Sequence, residues 1–196
     1  MKMFTVALIA IVVVVAAVAL RPRIARADLL KEGQIAPPFT TQMVTGETEA
    51  PVSLADFHGK KIILYFYPKD ETSGCTKEAC AFRDGYARYA NAGLVVLGCS
   101  IDSAESHKDF IRKNGLPFPL LLDPGKKIAT AYGAANGIPI LGLDRRITYV
   151  IDENGKILKV YPSVDPSTHA IEILNDLGVS NTVPPAPAKP AAPASN

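Results

Sequence analysis

Residues 94–100, Leu-Val-Val-Leu-Gly-Cys-Ser, are almost continuously apolar, the pattern of a strand buried on both faces. Residues 61–67 form a second apolar run of strand length. Between them, residues 75–90 show helical spacing, with Phe82, Tyr86 and Tyr89 on or near one face. Ser103 can cap a helix that Gly115 ends. Residues 120–122 read as a short strand, and residues 126–132 as a short helix stopped by Gly133. The runs 147–151 and 156–160 flank Glu153-Asn154-Gly155, where Asn-Gly signals a hairpin turn. Ser167 begins a last helix that ends at Gly178. Strand–helix–strand–helix followed by a hairpin and a helix is an α/β layout with a mixed sheet. No internal repeat interrupts it.

The two ends differ from this middle. Residues 4–20 carry no charge and follow Lys2, short for a membrane span and long for the apolar core of a signal peptide. Ala25-Arg26-Ala27 fits a small-x-small cleavage site before Asp28. Against cleavage, Arg21, Arg23 and Arg26 crowd the segment that follows, and positive charge there favours an anchor with its C-terminal side in the cytoplasm. The expectation is a signal peptide or membrane anchor over residues 1–27 and a cell-envelope location, exported or anchored; an anchored domain facing the cytoplasm is the alternative. Residues 181–196 are rich in Pro and Ala without large apolar side chains, which predicts a disordered tail. The folded domain is therefore expected over residues 28–180.

Composition narrows the chemistry. A chain of 196 residues with 48% hydrophobic residues holds one domain with a real core, although residues 1–20 inflate that share. A net charge of +2, with no dense Lys/Arg run, gives no sign of nucleic-acid binding. The three histidines, His58, His107 and His169, are not at metal-ligand spacing, and no Cys-x-x-Cys pair is present. Three cysteines are an odd number, a poor fit to a structural disulfide framework.

Cys75 is the most informative residue. The run Tyr65-Phe66-Tyr67 ends at Pro68, and Thr72, Ser73 and Gly74 lead to Cys75 where a helix can begin. A helix start offers its dipole and free N–H groups to a thiolate. Cys80 follows five residues on, outside the Cys-x-x-Cys spacing of thioredoxin-like oxidoreductases. The two read as a nucleophile and its resolving partner.

The segment Pro68-x-x-x-Thr72-x-x-Cys75 resembles the active-site signature of peroxiredoxins, and its extension through Cys80 to Ala81-Phe82-Arg83-Asp84 is similar to their Q-type, or bacterioferritin comigratory protein, group. The similarity covers residues 30–177. It implies a thioredoxin-like fold with a central mixed sheet flanked by helices. It also implies thiol-dependent reduction of hydrogen peroxide and organic hydroperoxides, with no metal or organic cofactor. Many members of this type are monomers.

The resemblance assigns roles. Cys75 is the peroxidatic nucleophile, and because an ordinary thiol with a pKa near ~8.5 is only slightly ionised at neutral pH, the site must supply positive potential. Family members carry an arginine just before a Thr-aromatic strand, and Arg146-Ile147-Thr148-Tyr149 matches; Arg145 is adjacent, and Arg146 is preferred. Thr72 places its hydroxyl beside the sulfur and the peroxide, or caps the helix, or both. Pro68 ends the strand and shields the sulfur. Gly74 allows close backbone approach to the peroxide oxygens. Glu78, one turn beyond Cys75, holds the arginine.

Cys80 resolves the sulfenic acid on Cys75. In an intact helix, residues five apart have Cα atoms roughly 8–9 Å apart, beyond the ~6.8 Å limit of a disulfide. The bond therefore requires local unwinding, after which thioredoxin or a similar dithiol protein reduces it. Cys99, in an apolar strand, is expected to be a small hydrophobe. The competing classes lack their markers: an envelope thiol–disulfide oxidoreductase needs Cys-x-x-Cys, a copper chaperone needs a closer cysteine pair with a distal histidine, and nothing favours a holdase.

Overall fold

The computed structural model describes residues 28–135 and 144–180. The expected leader or anchor and the Pro/Ala tail lie outside the described residues. Seven strands form one sheet: β1 (Thr40–Thr45), β2 (Thr48–Ser53), β3 (Lys61–Phe66), β4 (Leu94–Ser100), β5 (Leu120–Leu122), β6 (Ile147–Ile151) and β7 (Ile157–Tyr161). Their order is β2-β1-β5-β4-β3-β6-β7. β3, β4 and β5 run parallel, β6 is antiparallel to β3, and β1 is antiparallel to β5. The mixed sheet expected from the alternation of elements is present.

The helices are α1 (Ser73–Asp84), α2 (Tyr86–Asn91), α3 (Ala104–Asn114), α4 (Lys127–Ala131) and α5 (His169–Asp176). β3 shows why the core divides in two. Ile63, Tyr65 and Tyr67 point into one cluster with Phe82, Tyr89 and Phe110, whereas Ile62, Leu64 and Phe66 point into another with Cys99, Tyr132 and Tyr149. Gly98 makes room on the first face: a Cβ there would lie 2.6 Å from Leu120 Cδ2 and 2.8 Å from the Tyr65 ring.

Two local expectations change, and one hairpin has no expectation to change. The helix expected over residues 75–90 begins two residues earlier and breaks at Gly85, where a helix interior is least favoured. The break turns Phe82 and Tyr89 into one cluster, with ring centroids 5.7 Å apart. The last helix starts at His169, because Asp165 ties Ser167 into a preceding turn through its backbone N–H and its hydroxyl. The β1–β2 hairpin had no clear signal: its residues are mostly polar and exposed, and Pro51 sits on the edge strand. Ser103 accepts from the Ser106 N–H, and Gly115 closes α3 at φ 61°, as the sequence suggests.

Candidate active site

Topology brings the distant groups together. Phe66 at the end of β3 pairs with Ile147 at the start of β6, so Arg146 stands beside the segment that leaves β3 for α1. Thr72 occupies the N-cap position of α1, and Cys75 is the third helical residue, inside the first turn whose N–H groups have no intrahelical acceptor. Cys75 is 1% exposed. Arg146 Nη2 donates to Cys75 Sγ at 3.2 Å, and Nη1 donates to Glu78 Oε2. Arg145 points elsewhere, its Nη1 reaching the Gly133 carbonyl at 3.4 Å.

Glu78 is fully buried, and its Oε1 has no hydrogen-bond partner among the described residues. Burial pushes its carboxyl up to about 7, although Arg146 pulls the other way. For Arg146, burial lowers the pKa, but Glu78 and the Cys75 sulfur outweigh it and the net shift is upward. The guanidinium is thus a permanent cation set between a sulfur and a carboxyl group.

Gly74 has a neighbour that the motif did not suggest. A Cβ at this position would lie 3.3 Å from Arg146 Nη2, so the missing side chain admits the guanidinium to the sulfur. Thr72 does not cap the helix with its hydroxyl; it donates instead to the Lys69 carbonyl at 3.1 Å. Pro68 is half-buried between β3 and this loop. Cys80 is half-buried on the same unbroken helix, its thiol 3.8 Å from Asn114 Oδ1. The three cysteines are free thiols. Cys99 lies on the opposite face of the sheet, where burial, then Asp123 and Asp144, push its thiol well up.

Two residues to which the sequence reading gives no role in the site stand beside the loop. Asp70 is 3% exposed and His107 is fully buried, and the two are joined at 2.9 Å. An acidic side chain between Pro68 and Thr72 was the available signal for Asp70. His107 had none, since parallel packing of β4 and β5 carries α3 to the loop.

A thiol in the first turn of a helix, faced by a guanidinium on a thioredoxin-like sheet, defines a thiol-based redox enzyme. The model for the AhpC/TSA family matches residues 33–160. The chain is 46% identical over 144 residues to a chloroplastic peroxiredoxin Q of Sedum lineare, covering 73% of this chain and 75% of that one. It is 44% identical over 153 residues to a peroxiredoxin bcp of Coxiella burnetii, covering 76% and 99%. The solved structure of peroxidoxin BcpB from Mycobacterium tuberculosis superposes with a TM-score of 0.68 at 30% identity, over 78% of this chain and 99% of that one. This chain belongs to the AhpC/TSA family; it is a peroxiredoxin, a thiol-dependent peroxidase.

The same comparison corrects the location. A cell-envelope protein was expected from residues 4–20, which lie outside the described residues. The Sedum relative is named as chloroplastic, not as an envelope protein. No helix among the described residues is long and apolar enough to cross a membrane.

Proposed function

We propose that residues 28–180 form a catalytic unit that reduces hydrogen peroxide and organic hydroperoxides with electrons from thioredoxin or a similar dithiol protein. The observation that carries this reading is the 3.2 Å contact of Arg146 Nη2 with Cys75 Sγ inside the first turn of α1. The Cys75 thiolate attacks one peroxide oxygen and the O–O bond breaks. The departing alkoxide or hydroxide takes a proton and leaves as alcohol or water, and Cys75 becomes a sulfenic acid. Arg146 holds positive charge against the sulfur and the breaking bond. Thr72 contacts the peroxide, Pro68 shields the sulfur, Gly74 admits Arg146, and Glu78 orients Arg146.

The Cys80 thiolate then attacks the Cys75 sulfur; the S–OH bond breaks, water leaves, and a Cys75–Cys80 disulfide forms. Both cysteines sit in one continuous helix, so its first turns unwind for this step. Phe82, fully buried with its ring 4.8 Å from that of Tyr65, holds the rest of α1 in the core. A dithiol protein reduces the exposed disulfide. The unit acts as a monomer in this scheme, since the two cysteines that the disulfide joins lie on one helix.

The test is peroxide consumption coupled to thioredoxin. Wild type turns over continuously. Cys80→Ser consumes one equivalent of peroxide and stops, with sulfenic acid on Cys75 that passes to sulfinic acid. Continuous thioredoxin-driven turnover by Cys80→Ser would contradict the resolving role.

A further inference from the structure

The loop between β3 and α1 is held by a buried polar cluster that the peroxidase chemistry described above does not use. Asp70 Oδ1 accepts from the Tyr67 hydroxyl at 2.7 Å. Its Oδ2 accepts from the Ser106 hydroxyl at 2.7 Å and faces His107 Nδ1 at 2.9 Å. His107 Nε2 faces the Leu121 carbonyl at 3.2 Å. Both ring nitrogens thus meet oxygen atoms, which fixes the ring between the loop and β5. The Asp70 N–H donates to Asp102 Oδ2 at 2.8 Å, and the Ser100 hydroxyl donates to the same oxygen at 2.7 Å. Both carboxylates are buried, and each is met by donors.

These contacts converge on one peptide group. The N–H of Asp70 and the carbonyl of Lys69 belong to the same trans peptide and point in opposite directions. With the N–H fixed on Asp102, the carbonyl must face the other way, and there it accepts the Thr72 hydroxyl hydrogen at 3.1 Å. The Thr72 hydroxyl lone pairs then meet no donor among the described residues. Between them, Glu71 is held at φ 61°, a left-handed conformation that strains a non-glycine residue and persists only where its neighbours are tied down.

We propose that Asp70, with His107 and Asp102, is a positioning residue for peroxide reduction: it locks the Lys69–Asp70 peptide so that Thr72 presents an acceptor oxygen to the O–H of the peroxide. This rests on Thr72 contacting the peroxide. The cluster acts through hydroxyl direction and not through Cys75, so it governs reaction with peroxides and leaves generic thiol reactivity alone. Iodoacetamide supplies the contrast, because it consumes the same thiolate without needing a hydrogen-bonded oxygen.

The experiment compares single-turnover peroxide reduction with iodoacetamide alkylation of Cys75. The variants are Thr72→Ala, Asp70→Asn, Ser106→Ala and the double variant Thr72→Ala/Asp70→Asn, each followed by thermal unfolding. Asp70→Asn is expected to slow peroxide reduction by about 10- to 100-fold, the scale of an ångström-level misplacement, with alkylation unchanged within about twofold. Ser106→Ala removes one donor from the half-buried edge of the cluster, leaves the fold intact, and is expected to slow peroxide reduction by about threefold. In the double variant the Asp70 change should add less than about twofold, since its effect passes through Thr72. Full additivity in the double variant overturns the inference while leaving the role of Thr72 standing. A Thr72→Ala variant with wild-type peroxide kinetics overturns both. Parallel losses in peroxide reduction and alkylation, for Asp70→Asn or for Ser106→Ala, would show a purely structural cluster and contradict the proposal.

Discussion

Cys75 and Cys99 are both buried thiols, 1% and 0% exposed, and they lie on opposite faces of one sheet. Around Cys75 the protein gathers a helix start, a guanidinium at 3.2 Å, and a buried carboxyl group behind that guanidinium. Around Cys99 it gathers aliphatic and aromatic side chains, with the Asp123 and Asp144 carboxylates nearby, and the thiol is kept neutral. Burial alone therefore does not decide the reactivity of a cysteine. The groups that face the sulfur do, and so does the element that carries it: a first helical turn can unwind at modest cost, whereas a central strand cannot leave its ladder.

The sharpest way to break the contrast is to remove each sulfur in turn. Cys75→Ser should lower peroxide reduction by more than about 1,000-fold, because an alcohol supplies no comparable nucleophile at neutral pH. Cys99→Ala should leave it within about twofold, at the expense of some core packing. Equal losses in a peroxide-consumption assay would erase the distinction. Next in size is the arginine. Arg146→Ala should slow attack on peroxide by about 100- to 1,000-fold, the scale of losing one donor aimed at developing charge. Arg145→Ala, whose guanidinium turns to Gly133, should cost less than about threefold.

A smaller effect comes from Glu78. Its carboxyl titrates near 7 in the closed helix, against an ordinary 4.5, because burial outweighs Arg146. When the helix opens, the carboxyl meets water and returns to its ordinary range, so a bound proton favours the closed form. That contribution is complete below about 4.5 and is lost as pH rises through about 7. Opening, and with it disulfide closure, becomes easier as pH rises over this window. An attacking thiol that must lose one proton gives, by itself, a slope of about 1 for log rate against pH. Wild type should exceed that slope between about pH 5 and 7, and Glu78→Gln should return to about 1. Rapid-quench measurement of the sulfenic-to-disulfide step reads both; equal slopes would remove Glu78 from the switch.

The two faces also differ in how much of them the sequence discloses. The Cys99 face follows from continuous apolar runs, since a strand buried on both sides needs nothing but such residues. β4 and β6 appear where the runs 94–100 and 147–151 place them. On the Cys75 face, Pro68, Thr72, Cys75 and Cys80 are visible because they are close together in sequence. Arg146 is visible only through its likeness to a family pattern, as it sits 71 residues from Cys75. The Asp70–His107 pair is invisible to periodicity: its members are 37 residues apart and meet only after α3 docks on the loop. The partner of Gly74 is equally hidden, because it arrives on another strand. The β1–β2 hairpin was missed for the opposite reason, having too little buried apolar surface to leave a pattern.

The most direct measurement is peptide mass mapping of the wild-type protein after one equivalent of hydrogen peroxide. The two-face account predicts a single intramolecular bond between Cys75 and Cys80, with Cys99 recovered as a free thiol. A Cys75–Cys99 bond would have to join opposite faces of the sheet, and its appearance, or an intermolecular Cys75–Cys75 bond as the main product, would contradict the account.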